Sequence, residues 1–168
     1  MSHLPFPDTE HLPAPLREEL ARRQNKNVYR MLMHAPAIVP GFLAMTDALR
    51  QQNSLPVPLR EIAILRVGRR YAAAYEVHHH ERMARAGGLS EAGVAAASSG
   101  PAAPAISADE RLVLRFTDEL LDKHGLYGDA RAEALGRFSL QQLEELVLTV
   151  GHYQQVCIFL NTFGVPVE

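Results

Sequence analysis

Three polar side chains have the types and spacing for chemistry. Glu76 and His80 lie four residues apart in Tyr75-Glu76-Val77-His78-His79-His80-Glu81-Arg82. If that run is helical, a carboxylate and an imidazole share one face within reach of each other. Glu61 stands near the start of a more apolar run, Leu59-Arg60-Glu61-Ile62-Ala63-Ile64-Leu65, and a helical hairpin could bring it to the same place. Two acids and an imidazole inside an apolar bundle make a proton-transfer set. Such surroundings move their pKa values toward neutrality, where general acid–base catalysis is most efficient. The competing reading is structural, since an i,i+4 Glu/His pair on a helix surface is only a weak ion pair.

The His78-His79-His80 triplet invites a metal reading, but successive helical positions point about 100° apart and three such rings cannot converge on one ion. H-E-x-x-H is absent. A Glu61, Glu76 and His80 ligand set is set aside because zinc sites more often use several His or Cys, so no metal is expected. His78 and His79 are expected to be exposed or interfacial. Cys157 lies among Val156, Ile158 and Phe159, which reads as inert core rather than nucleophile. His152 and Tyr153 either line a pocket or form a buried pair satisfied by backbone carbonyls. No phosphate-binding glycine loop, nucleophile elbow or dinucleotide fingerprint is present.

At 168 residues, with 47% hydrophobic and 21% charged, the chain suits one domain able to build a core without staples. The net charge of -2 and pI near 6.4 lack the basic footprint of a nucleic-acid binder. Arg66, Arg69 and Arg70 read as a solvated face. One cysteine excludes an intramolecular disulfide and fits a reducing compartment. The N-terminus has no basic region followed by an apolar stretch, and no apolar run approaches the ~18 residues of a membrane span. A cytoplasmic protein without membrane contact is the expectation.

The elements that must position these residues are all helical. Residues 1–13, with three prolines, read as an N-terminal arm, and 14–168 as a single helical domain. Pro15 suits a first helical turn. A second segment, Val28 to His34, stops before Pro36. A third, Val39 to Gln51, carries Phe42, Leu43, Met45 and Leu49 as its buried stripe. The central hairpin, Leu59 to Leu89, ends at Gly87-Gly88, a glycine stop. Ser98 to Ala105, rich in small residues and proline, reads as a surface loop. Ser107 with Glu110 and Ser139 with Gln142 form capping boxes, opening helices to about Lys123 and from Leu140 to Phe163. Gly125 and Gly128 break the first of these, and Ala130 to Arg137 is a short helix. The last helix is apolar on more than one side, which places it in the centre of a bundle or in a subunit interface. Period-two alternation is nowhere sustained, so the fold class is all-α.

At these residues the chain resembles the carboxymuconolactone decarboxylase and AhpD-like (alkylhydroperoxidase-like) superfamily, from about Pro36 to Val167. The most specific stretches are Leu59 to Leu65, Tyr75 to Gly87, and Gly151-His152-Tyr153 to Asn161. The resemblance implies an AhpD-like helical bundle that assembles as a homo-oligomer, trimer or hexamer, with its site near subunit contacts. Alkylhydroperoxidase members use a glutamate, a C-x-x-C pair, and a histidine four residues after the second cysteine. Glu61 matches the glutamate and His80 the histidine, while Ala73 and Glu76 occupy the cysteine positions. A peroxide cannot be reduced by a dithiol that is absent. What remains resembles the cofactor-free decarboxylase side, acting on a small carboxylated lactone or related acid. His80 would then donate or shuttle the proton, Glu61 would orient or recharge the imidazole, and Glu76 would tune it. Arg66 or Arg82 would meet the substrate carboxylate. A family antioxidant that has lost its cysteine pair, or a non-catalytic oligomeric binding protein, are the alternatives.

Overall fold

The computed structural model describes residues 4–168; residues 1–3, the start of the expected arm, lie outside it. Residues 4–13 form no helix, and the Leu4 N–H donates to Phe163 O at 3.1 Å. Among the described residues the chain forms nine α-helices and no strand: α1 (Ala14–Arg22), α2 (Asn27–Leu32), α3 (Val39–Gln51), α4 (Val57–Arg70), α5 (Ala74–Ala86), α6 (Glu91–Ser99), α7 (Ala108–Lys123), α8 (Gly128–Arg137) and α9 (Leu140–Phe163). The capping boxes of Ser107 with Glu110 and Ser139 with Gln142 both form. Each returns a hydrogen bond to an otherwise orphaned N–H at a helix start. Helix α7 ends on His124 in the left-handed conformation, one residue before the expected glycine. No described helix is long and apolar enough to cross a membrane.

Helix α4 is the hub. It packs against α5, α6, α7 and α9, and each residue from Leu59 to Gly68 is buried. Burial of side chains such as Ile62, Ile64 and Leu65 is worth roughly 1.5–3 kcal/mol apiece. The apolar pattern of α9 points to a bundle centre or a subunit interface, and α9 leaves Val147, Leu148 and Ile158 about half exposed. What lets α4 take the centre despite its charges is that partners elsewhere neutralise them. Arg66 grips Asp118 of α7 with two hydrogen bonds, at 2.7 and 2.9 Å, and its remaining nitrogen donates to the Ala97 and Ser98 carbonyls at 3.2 and 3.0 Å. Those carbonyls are among the unpaired acceptors at the end of α6. Gly100 follows at φ +87, where a Cβ would stand 3.2 Å from Arg66 Nη2. Glycine is required there for both backbone and space. The Ser98–Ala105 loop is thus moored to the core, with Arg111 also bonding the Pro101 and Ala103 carbonyls.

The α4–α5 hairpin turns through Tyr71–Ala73, with Ala72 left-handed at φ 50. Gly68 keeps the two helices close, since a Cβ on it would come within 3.1 Å of Val77 Cγ2. Two helical turns before Gly68, the Glu61 side chain meets His80 of the returning helix.

Candidate active site

His80 is the pivot of the site. Its Nδ1 lies 2.7 Å from Glu61 Oε2, and its Nε2 lies 2.9 Å from Glu76 Oε1. All three side chains are buried, none more than 6% exposed. The two contacts differ in kind. The Glu61 contact is a formed hydrogen bond. The Glu76 contact is within ion-pair distance but outside hydrogen-bond geometry, leaving Oε1 without a hydrogen-bond donor. Arg60 backs the cluster from outside, its Nη2 3.3 Å from Glu61 Oε1.

Opposing effects set the protonation of these groups. Burial alone would strip the proton from the His80 imidazolium, but the Glu76 charge 2.9 Å away and the hydrogen bond to Glu61 outweigh it and raise the pKa to about 9. Burial would raise the Glu61 carboxyl, yet its hydrogen bond to His80 and the His80 and Arg60 charges hold it below the usual carboxylate value. At neutral pH, therefore, a charged imidazolium is bracketed by acids. A second imidazole is held oppositely: burial lowers the His152 pKa, so that ring is neutral. The Thr46 hydroxyl donates its hydrogen to Phe42 O at 2.9 Å. It must then accept from His152 Nε2, 3.0 Å away, an assignment made from the network. Among the described residues no donor meets the Nδ1 lone pair of His152.

A cavity of about 80 Å³ opens over this cluster, lined by Glu76 and His80 of α5 and by His152 and Tyr153 of α9. The Tyr153 ring stands edge-on to both imidazoles, 5.1 Å from His80 and 5.5 Å from His152, and burial pushes its hydroxyl pKa well up. Glu61 does not line the cavity; it lies behind His80. Arg82 reaches the rim. Arg66, expected against a substrate carboxylate, does not: its guanidinium is engaged by Asp118 and the α6 carbonyls. Arg69 and Arg70 are likewise paired, with Glu81 and with Asp118 and Asp122. Sequence reasoning missed Arg50 and Lys26, which join the lining from α3 and from the turn before α2. No local motif marks them; only the fold does.

Of the neighbouring histidines, His78 is exposed and His79 half-buried. His79 Nε2 lies 2.9 Å from Glu168 Oε2, and the Tyr75 hydroxyl donates to the same carboxylate at 2.9 Å. Ala73 and Glu76, at the two positions a dithiol would need, are both buried. Cys157 is also buried, and burial raises its thiol pKa far from the thiolate range. Among the described residues no three His, Cys, Asp or Glu side chains are grouped to hold a metal ion.

Comparison with known proteins agrees with this architecture. A protein from Ralstonia eutropha, described as an uncharacterized peroxidase-related alkylhydroperoxidase AhpD core, superposes with a TM-score of 0.86 at 21% identity, over 99% of this chain and 92% of its own. A protein of unknown function from Agrobacterium tumefaciens, described as a putative antioxidant defence protein AhpD, gives 0.73 at 18% identity, over 82% and 94%. At such identities these likenesses establish the fold. No curated protein matches the chain in sequence. The carboxymuconolactone decarboxylase family model matches residues 36–119, half of the chain and the whole α4–α5 hairpin that carries Glu61, Glu76 and His80, and the protein therefore belongs to that family.

Proposed function

We propose that the protein is a cofactor-free acid–base enzyme, a lyase of the decarboxylase kind, acting on a small carboxylated lactone or related acid. One observation carries this reading: a buried imidazole held between two carboxylates, one of which lines a pocket. Loss of CO2 breaks a carbon–carbon bond and leaves its electron pair on the substrate, delocalised into an adjoining carbonyl as an enolate. Collapse of the enolate to product consumes one proton at carbon. His80 stores that proton, because its raised pKa keeps it charged at neutral pH.

Both ring nitrogens of His80 face carboxylates, so the proton leaves from Nε2 by way of Glu76, whose side chain borders the substrate space. Glu76 is thereby a carrier as well as a neighbouring charge. Glu61 keeps hold of Nδ1, fixes the ring and favours its reprotonation. The neutral His152, with its free Nδ1, accepts a hydrogen bond from substrate.

The descriptions of the two structural relatives favour a peroxide-directed reading instead. That chemistry oxidises a thiolate and resolves it with a second thiol, and here the equivalent side chains are Ala73 and Glu76. The test is a panel of small lactone carboxylic acids with CO2 release as the readout. A turned-over acid should lose at least ~100-fold in rate with His80→Gln or Glu76→Gln in folded variants. Full activity in either variant would remove that residue from its role. Dithiol-dependent peroxide consumption without any decarboxylation would place the protein with the peroxidases.

A further inference from the structure

A buried tyrosine hydroxyl ordinarily finds a hydrogen-bond partner, and that of Tyr153 does not. The residue is 3% exposed, and among the described residues its hydroxyl makes no hydrogen bond. Nor is the hydroxyl walled in. The buried side-chain polar atoms sealed without a hydrogen-bond partner are Glu76 Oε1 and His79 Nε2. The Tyr153 hydroxyl therefore keeps an opening, and the space its side chain lines is the cavity over His80. Polar groups around that space are engaged elsewhere. The Thr46 hydroxyl is held between Phe42 O and His152 Nε2, and both His80 nitrogens face carboxylates. Burial, aided by the Glu76 charge, holds the phenol's pKa well up, so it is a neutral donor at neutral pH. Its ring lies edge-on to the His80 imidazole, 5.1 Å between centres, so an open donor and the proton store share one end of the cavity.

We propose that the Tyr153 hydroxyl is a catalytic hydrogen-bond donor to the substrate oxygen on which negative charge gathers as CO2 leaves. The inference rests on the acid–base reading of the same pocket and supplies what that reading lacks, a donor for the enolate oxygen. When the carbon–carbon bond breaks, its electron pair moves into the adjoining carbonyl and the carbonyl oxygen becomes the enolate oxygen. Tyr153 donates a hydrogen bond to that oxygen and keeps its own proton. The proton that completes the product goes to carbon, from His80 by way of Glu76, so the two groups act on different atoms of one enolate. A hydrogen bond to an ionised acceptor is roughly twice as strong as one to a neutral carbonyl. The bond therefore strengthens as the reaction proceeds, and an interaction that is stronger in the transition state than in the ground state raises kcat. The donor is fixed before substrate arrives, because the ring is packed between the two imidazoles.

Calorimetric titration at pH 7 with two small ring compounds tests the donor. 1,3-Cyclopentanedione is ionised there to a planar enolate, and 3-methylcyclopent-2-enone has a methyl group in place of one enolate oxygen and no charge. Wild type should bind the enolate more tightly than the enone. Tyr153→Phe keeps the ring and loses only the hydroxyl; it should weaken the enolate at least ~tenfold and the enone less than ~threefold. On an acid that is turned over, the same variant should lower kcat ~100-fold with KM little changed, a split that a merely structural tyrosine would not give. If Tyr153→Phe fails to fold, Tyr153→3-fluorotyrosine carries the test. Its fluorine resonance should shift further with the enolate than with the enone, and an unmoved resonance overturns the proposal. So does a wild type that binds no enolate, or an equal effect of Tyr153→Phe on both compounds. Decarboxylation that needs His80 and runs at full rate in Tyr153→Phe overturns the proposal and leaves the acid–base reading standing. Tyr153-dependent enolate binding by a protein that decarboxylates no acid does the reverse: the donor site stands and the acid–base reading falls.

Discussion

Replacing His80 with glutamine removes the one positive charge that touches both buried acids. Two independent magnitudes bear on the cost. A folded pKa of about 9 against an ordinary 6.5, at ~1.4 kcal/mol per pH unit, gives roughly 3 kcal/mol. Removing one partner of a buried charge pair costs about 3–5 kcal/mol, because the other is left desolvated and alone. Here Glu76 would be left with no cation in contact, and Glu61 with Arg60 only. With an m-value of ~2 kcal/mol/M, urea unfolding at fixed protein concentration should show the midpoint falling by about 1.5–2.5 M at pH 7. The pH dependence is the sharper part. A group whose pKa rises on folding contributes its full stabilisation below the unfolded value, near 6.5, and loses it as pH rises through about 9. Wild type should thus lose stability between neutrality and pH 10 and the variant should not, so the gap closes at the alkaline end. A loss under ~1 kcal/mol at pH 7, or a gap that stays constant with pH, would mean that the acids are hydrated and the cluster is no unit.

Arg66→Met should destabilise by about 2–3 kcal/mol, the worth of its charged hydrogen bonds, tempered because Asp118 keeps Arg70; urea unfolding measures this. Cys157 should react with a disulfide reagent at pH 8 at least ~100-fold more slowly in the native protein than in urea, since burial raises its pKa and denies access. Fast native labelling would contradict the buried thiol.

The helical class and the pairing of Glu76 with His80 were legible because both rest on local periodicity. An i,i+4 spacing fixes a shared face, and the capping boxes at Ser107 and Ser139 fix helix starts within four residues of chain. Reaching Glu61 took one more step, a hairpin closed by the short turn at Tyr71–Ala73. What could not be read is which charges are already satisfied. Arg66, Arg82 and Arg50 are the same residue type on amphipathic helices. Their fates depend on Asp118, 52 residues away from Arg66, and on Met83, 33 away from Arg50. The central place of α4 was hidden for a related reason. Hydrophobicity favours α9 over α4, and α4 is central only because Glu61 and Arg66 meet counter-charges that periodicity does not register. The Ser98–Ala105 stretch reads from its composition as a surface loop, while its Ser98 carbonyl is held by Arg66, 32 residues away, and its Ala103 carbonyl by Arg111 of the next helix.

The protonation of His80 is the claim on which the acid–base account stands, and ring nitrogen NMR of the intact protein reads it directly. Both nitrogens should carry protons at pH 7 and the ring should titrate near 9, while His152 in the same sample stays neutral with its proton on Nε2. A His80 ring that is neutral at pH 7, titrating at or below 6.5, would contradict the account.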